Sequence, residues 1–159
     1  MTETLRSQAV RGFKPGDSFV IVRTFSRDES EGFGDLTRDY NPVHYDERWT
    51  EAKGFDGLIC HGLLVGGMIC EFGGQVGWLA TGMDFKFIKP VYFGDTVECR
   101  IIITQVEKDG KARAEAEFFN QNWVLVGKVS LRGRLPVGDE RDILNQMICE
   151  GDPTNPLAR

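Results

Sequence analysis

The sequence predicts an α+β domain in which helices pack on one face of an antiparallel sheet. Two observations carry this. Four strand-like segments follow one another in the second half, joined by turn signals such as Asp109-Gly110 and Asn120-Gln121-Asn122. Strands linked by hairpins run antiparallel. The first half holds one strand and three helical segments, the last of them apolar on nearly every side. Such a helix needs a sheet to cover it. The 159 residues fit one domain, residues 1–136, followed by a C-terminal extension, residues 137–159.

Met1 to Gly16 shows few periodic apolar positions and ends in the turn Lys14-Pro15-Gly16-Asp17. Asp17 to Thr24 reads as a strand with Phe19 and Ile21 on one side and Val20 and Val22 on the other. Apolar residues on both sides predict cover on both faces. Ser26 and Glu29 then form a capping box that opens a helix to about Arg38. Phe33 and Leu36, three apart, are expected to face the core. Gly32 and Gly34 each weaken this helix by about 1 kcal/mol relative to alanine. Pro42 removes a donor and keeps Asn41 out of the helical region, so the helix must end before it.

Asp46 is placed to cap a short helix through Lys53 that carries Trp49 and Ala52. His61 to Gln75 reads as one long buried helix, with Leu63, Leu64, Met68 and Phe72 at helical spacings. From Trp78 the period becomes two. Strands are predicted at Thr81 to Phe87, Thr96 to Val106, Lys111 to Asn120 and Trp123 to Arg134. Val97, Cys99, Ile101 and Ile103 alternate with Glu98, Arg100, Ile102 and Thr104, and Trp123, Leu125, Val129 and Leu131 are expected to share a face. Beyond Pro136 the chain turns acidic. Ile143 to Ile148 suits a short helix, and the remaining tail is expected at most to pack on a neighbouring subunit.

Composition narrows the function classes. The net charge of -5 argues against non-specific binding to nucleic acid or to anionic membranes. No apolar run reaches the length of about 18 residues that a bilayer span requires. The N-terminus lacks a signal-peptide pattern, so a cytoplasmic location is expected. Four cysteines without a C-x-x-C pair fit thiols in a reducing compartment. Cys60, His61 and Cys70 have no recognised metal spacing, and no metal site is expected. Glycine is concentrated: nine of 19 fall between Gly54 and Gly82. The two histidines, His44 and His61, lie in or just before that stretch.

Two constellations can carry chemistry. Asp39 and His44 stand five residues apart around Pro42, which stiffens the turn between them. A carboxylate and an imidazole converging on one pocket can divide acid and base duties. The same residues also suit an Asx-type turn beside a surface histidine. The second is His61-Gly62. If a helix starts here, its first N–H groups are unpaired, and Gly62 leaves its amide unobstructed as a donor to an oxyanion. An ordinary helix start reads the same way.

Asp39-x-Asn41-Pro42-x-His44, followed by Ile59-Cys60-His61-Gly62-Leu63-Leu64, resembles the MaoC-like dehydratases, which include the (R)-specific enoyl-CoA hydratases of the hot-dog fold. The capping box with Phe33, and the later segment Phe85-Lys86-Phe87-Ile88-Lys89-Pro90-Val91-Tyr92-Phe93-Gly94-Asp95, resemble the same family. The likeness spans Asp17 to Leu131. It implies a hot-dog fold, an antiparallel sheet wrapped around a long central helix.

It further implies reversible syn hydration of a trans-2-enoyl thioester, with no metal or redox cofactor. Asp39 and His44 match the catalytic pair, Gly62 the glycine whose N–H holds the thioester oxygen, and Asn41 the motif asparagine that shapes the turn. Cys70 stands where some (R)-hydratases have a serine, and Gly34 where alanine is common, an exchange expected to be benign. Acyl-CoA or an acyl-carrier protein is the implied partner; the anionic CoA phosphates make Lys86, Lys89 and Arg38 candidates to meet them, while ordinary solvated surface charge accounts for each equally. A homodimer is expected, because an exposed sheet edge invites pairing. A thioesterase of the same fold and a non-catalytic acyl-thioester binding module are the competing readings.

Overall fold

A computed structural model describes residues 4–158. The chain runs α1 (Leu5–Arg11), β1 (Ser18–Thr24), α2 (Arg27–Thr37), a 3-10 turn (Pro42–His44), α3 (Glu47–Ala52), α4 (Gly62–Gly66) and α5 (Met68–Val76). It continues through β2 (Leu79–Phe87), β3 (Thr96–Val106), β4 (Lys111–Asn120), β5 (Leu125–Arg134) and α6 (Asp139–Cys149). All strands form one antiparallel sheet in the order β1-β3-β4-β5-β2. This is the α+β hot-dog arrangement the sequence implies, with the glycine-rich helical segment held against the sheet.

The register shows why the sheet holds its helix. Phe19 pairs with Ile101, Ile101 with Ala116, Ala116 with Val129 and Val129 with Phe85. One row of apolar side chains therefore crosses all five strands on the inner face. Met68, Ile69, Phe72 and Val76 of α5 are buried in the same cluster. The Phe19 and Phe72 rings meet at 4.9 Å.

Several expectations fail for physical reasons. Val20 and Val22 of β1 are 58% and 56% exposed. The helices cover only the inner face, so the outer face of an edge strand stays open. Leu36 is 87% exposed, because α2 turns Ser30 and Gly34 inward instead. Leu63 is exposed where the helix borders the cavity described below. Trp123 belongs to the turn: its φ is 60°, and Asn120 Oδ1 accepts from the N–H of both Asn122 and Val124. Its ring lies 4.9 Å from the Arg100 guanidinium instead of joining the inner face.

The expected single helix over 61–75 is divided at Gly67, where an N–H of Cys70 reaches the Gly67 carbonyl at 2.8 Å in a tightened, three-residue step. The N-terminal segment, read as irregular, forms α1. Thr4 caps it, and Ala9 and Arg6 are buried. The tail docks on this helix of its own chain. Leu144 of α6 joins the core, the Arg141 guanidinium packs over Gly12, and buried Asp152 pairs with Arg6.

Candidate active site

Local sequence places Asp39 and His44. The capping box forms as expected: Ser26 Oγ accepts from Glu29 N–H, and Glu29 Oε2 accepts from Ser26 N–H. Helix α2 ends at Arg38 in the left-handed region, φ 59°. Asp39 follows, its N–H bonded to the Gly34 carbonyl at 3.1 Å. Asp39 Oδ1 accepts from Asn41 N–H, and Asn41 Oδ1 accepts from Val43 N–H, each at 3.2 Å. The Asx-type turn is thus present, and it carries the pair to one place. His44 is buried and Asp39 half-exposed, with Oδ2 3.8 Å from His44 Nε2.

Both imidazoles have defined roles in the hydrogen bonding. His44 Nδ1 lies 2.7 Å from the Ile59 carbonyl. A carbonyl only accepts, so Nδ1 carries the proton and Nε2 keeps its lone pair toward Asp39. Burial, first, and the neighbouring His61 lower the His44 pKa against the opposing pull of the Ile59 bond and Asp39. His44 is therefore favoured as a neutral imidazole.

His61, expected only as a structural neighbour, is fully buried and stacks on His44 with ring centroids 3.7 Å apart. Its Nε2–H donates to the Asp39 carbonyl at 2.9 Å, which leaves Nδ1 to accept from Ser30 Oγ at 2.8 Å. The same Oγ accepts from His61 N–H at 3.3 Å. The inward-facing Ser30 is a site residue that the sequence reading missed. Its only local sign is a small polar residue on the inner face of an amphipathic helix.

Asp39, His44 and His61 present ligand atoms within 4.8 Å of one another. As bonded here, both His61 nitrogens are occupied. The two remaining donors are fewer than the three protein ligands of a catalytic zinc site or the four of a structural one.

The cluster sits in the wall of a cavity of about 570 Å³ lined by Phe33, Phe55, Val65, Phe85, Phe118 and Val126 among others. Gly62 opens α4 without a side-chain cap and lines the same cavity. The Phe87 ring lies 2.8–3.1 Å from where a Cβ on Gly62 would stand, and Phe85 comes within 2.6 Å of the equivalent point on Gly66. These two glycines let aromatic rings reach the helix backbone.

Lys86 and Lys89 line the cavity, whereas Arg38 does not. Asn41 lies outside it, as a turn-former. Cys70 is exposed and lines no part of it. It belongs to α5, beyond the break at Gly67, whereas Gly62 opens α4. Residues Val65 and Gly66 face the cavity in its place.

Fold and site together define a hot-dog protein with a carboxylate–imidazole pair in the wall of an apolar cavity. The chain belongs to the family of the MaoC-like domain, whose model matches residues 14–120. It is similar to an (R)-specific enoyl-CoA hydratase of Rhodospirillum rubrum, 29% identical over 128 residues, 78% of this chain and 86% of the relative. A mitochondrial 3-hydroxyacyl-[acyl-carrier-protein] dehydratase of Arabidopsis thaliana is 30% identical over 89 residues, 53% of this chain and 52% of the relative. Among solved structures, the (R)-hydratase from A. caviae involved in PHA biosynthesis superposes with a TM-score of 0.73 at 25% identity, covering 79% of this chain and 99% of that one.

Proposed function

We propose that the protein is a hydro-lyase that adds water reversibly to a trans-2-enoyl thioester, giving the (R)-3-hydroxyacyl thioester. The observation that carries this is the meeting of Asp39 Oδ2 and His44 Nε2, 3.8 Å apart, in the wall of an apolar cavity that Gly62 also lines. A water held by both groups loses one proton to the pair as its oxygen bonds to C3. The pair returns one proton to C2 on the same face, so it ends as it began. Negative charge collects on the thioester oxygen during this exchange, and the Gly62 N–H, at the start of α4 on the cavity wall, is the donor assigned to it. No metal or redox cofactor takes part.

The cavity's apolar lining suits an acyl chain. Lys86 and Lys89 offer cations to the phosphates of CoA or of a carrier protein's prosthetic arm. The free cysteines fit a reducing, cytoplasmic setting. Cys60 and Cys99 are buried thiols whose pKa burial pushes up to about 12. No helix among the described residues is long and apolar enough to cross a membrane. The protein works as a homodimer in this reading. Strand β2 is an edge of the sheet along which Leu79, Met83 and Phe87 are exposed, and its open backbone groups suit pairing with a second copy. Sedimentation should therefore give a species of twice the chain mass.

Purified protein with crotonyl-CoA tests the reaction. Loss of the enoyl absorbance without free thiol supports hydration. Free CoA appearing first would establish the thioesterase, and binding without turnover would establish the acyl-thioester module.

A further inference from the structure

We infer that Tyr45 is a positioning residue for Asp39, and that the absent side chain of Gly34 is what admits it. The inference rests on the reading of Asp39 as a catalytic residue. Tyr45 directly follows the 3-10 turn that carries His44. Its hydroxyl reaches back to the Asp39 carbonyl at 3.5 Å, a long bond beside the 2.9 Å bond from His61 Nε2–H. A carbonyl oxygen has two lone pairs, and these two donors occupy both. With its N–H on the Gly34 carbonyl, Asp39 is held on both sides of its Cα, and only Oδ2 lacks a hydrogen-bonded partner.

The Tyr45 ring also stands edge-on to both imidazoles, 6.1 Å from His61 and 6.3 Å from His44. One side chain therefore braces the aspartate's main chain and both rings. Burial, first, and nearby carboxylates raise the phenol pKa, so the hydroxyl remains a donor throughout the neutral range.

Gly34 has φ in the ordinary helical range, so backbone freedom does not explain it. Space does. A Cβ here would overlap the Tyr45 hydroxyl, and it would stand 3.1 and 3.2 Å from His61 Cε1 and Nε2. The imidazole cannot yield without leaving the Asp39 carbonyl. Alanine here would expel the phenol, so the exchange from the family's alanine is not benign in this chain. Tyr45 lines no part of the cavity. Its loss should disturb the reacting groups and spare substrate binding.

The test is a double-mutant cycle in crotonyl-CoA hydration and thermal unfolding, with Gly34→Ala, Tyr45→Leu and the pair. Gly34→Ala alone should lower kcat by about tenfold or more at nearly constant KM, since small displacements of reacting groups are costly. Combined with Tyr45→Leu, which vacates the notch, it should cost nothing further. Tyr45→Phe, which removes only the hydroxyl, should lower kcat several-fold with KM and the unfolding midpoint held. It decides the matter should Gly34→Ala fail to fold.

Multiplicative losses in the cycle, a harmless Gly34→Ala, or a fully active Tyr45→Phe would each overturn the inference while leaving the hydratase reading in place. A wild-type protein inert to enoyl thioesters would overturn the hydratase reading, and the positioning role with it.

Discussion

Two clusters in this molecule hold a carboxylate against nitrogen groups, and they are built in opposite ways. At one end, the Arg6 guanidinium pairs with Asp152 and donates to the Gly74 and Gln75 carbonyls at 2.9 and 3.3 Å and to Thr154 Oγ1 at 3.2 Å. Asp152 Oδ2 takes a further bond from Asn155 at 3.1 Å. Both oxygens and all three guanidinium nitrogens are spoken for. The last-turn carbonyls of α5 gain a cation, which the helix dipole favours. At the other end, Asp39 fixes its main chain and Oδ1 but leaves Oδ2 3.8–3.9 Å from two imidazoles, beyond hydrogen-bond length. The first cluster spends its polar groups on holding the chain together. The second keeps an acceptor and a lone pair open toward a cavity.

The contrast breaks if function and stability do not separate as the bonding does. Asp39→Asn should lower kcat by about 10²–10⁴-fold, the usual worth of acid–base catalysis. The unfolding midpoint should barely move, since Oδ2 has no hydrogen bond to lose. Arg6→Ala should do the reverse. It strands a buried Asp152 at a cost of about 3–5 kcal/mol. That corresponds to a fall of roughly 10 °C in a chain of this size. Turnover by the folded protein should be unchanged, and a loss of kcat like that of Asp39→Asn would end the distinction.

Ser30→Ala sharpens the comparison, because Ser30 is a closed group beneath the open cluster. His61 loses both contacts to that hydroxyl, a cost of about 1–3 kcal/mol by calorimetry. The kcat value should also fall, as the ring stacked under His44 loosens.

The smallest effect is the acid limb. His44 has a lowered pKa in the folded protein, so below about pH 6.5 the unfolded chain binds the proton first. The stability His44 contributes is present above that pH and is lost as pH falls through the folded value. Thermal melts between pH 7 and 5 should show the loss, and His44→Gln should remove that part of the slope. The kcat/KM profile should likewise hold to a pH below the ordinary histidine value before it declines.

Asp39 and His44 were legible because five residues around a proline define their relation locally. The bounds of β3 and β4 were legible for a similar reason, since alternation is a short-range signal. The capping box announced α2 but not its orientation. Of Phe33 and Leu36, Phe33 does turn to the cavity beside His61 while Leu36 stays exposed, and the buried positions are Ser30 and Gly34. Their partners, His61 and Tyr45, lie elsewhere in the chain. Helix α1 was missed because its anchor is a buried arginine, whose carboxylate partner is 146 residues away. Gly34 looked neutral for the same reason. Only the folded chain brings the Tyr45 hydroxyl to it.

The division of labour around the cavity has an evolutionary consequence. The groups proposed to react come from one stretch, Asp39 to Gly62, while the strand side of the apolar wall draws on Phe85, Phe118 and Val126 from three different strands. On the proposed reading, a lineage could retune which acyl chain fits by exchanging strand residues one at a time. Each such exchange would leave the turn that holds Asp39 beside His44 intact.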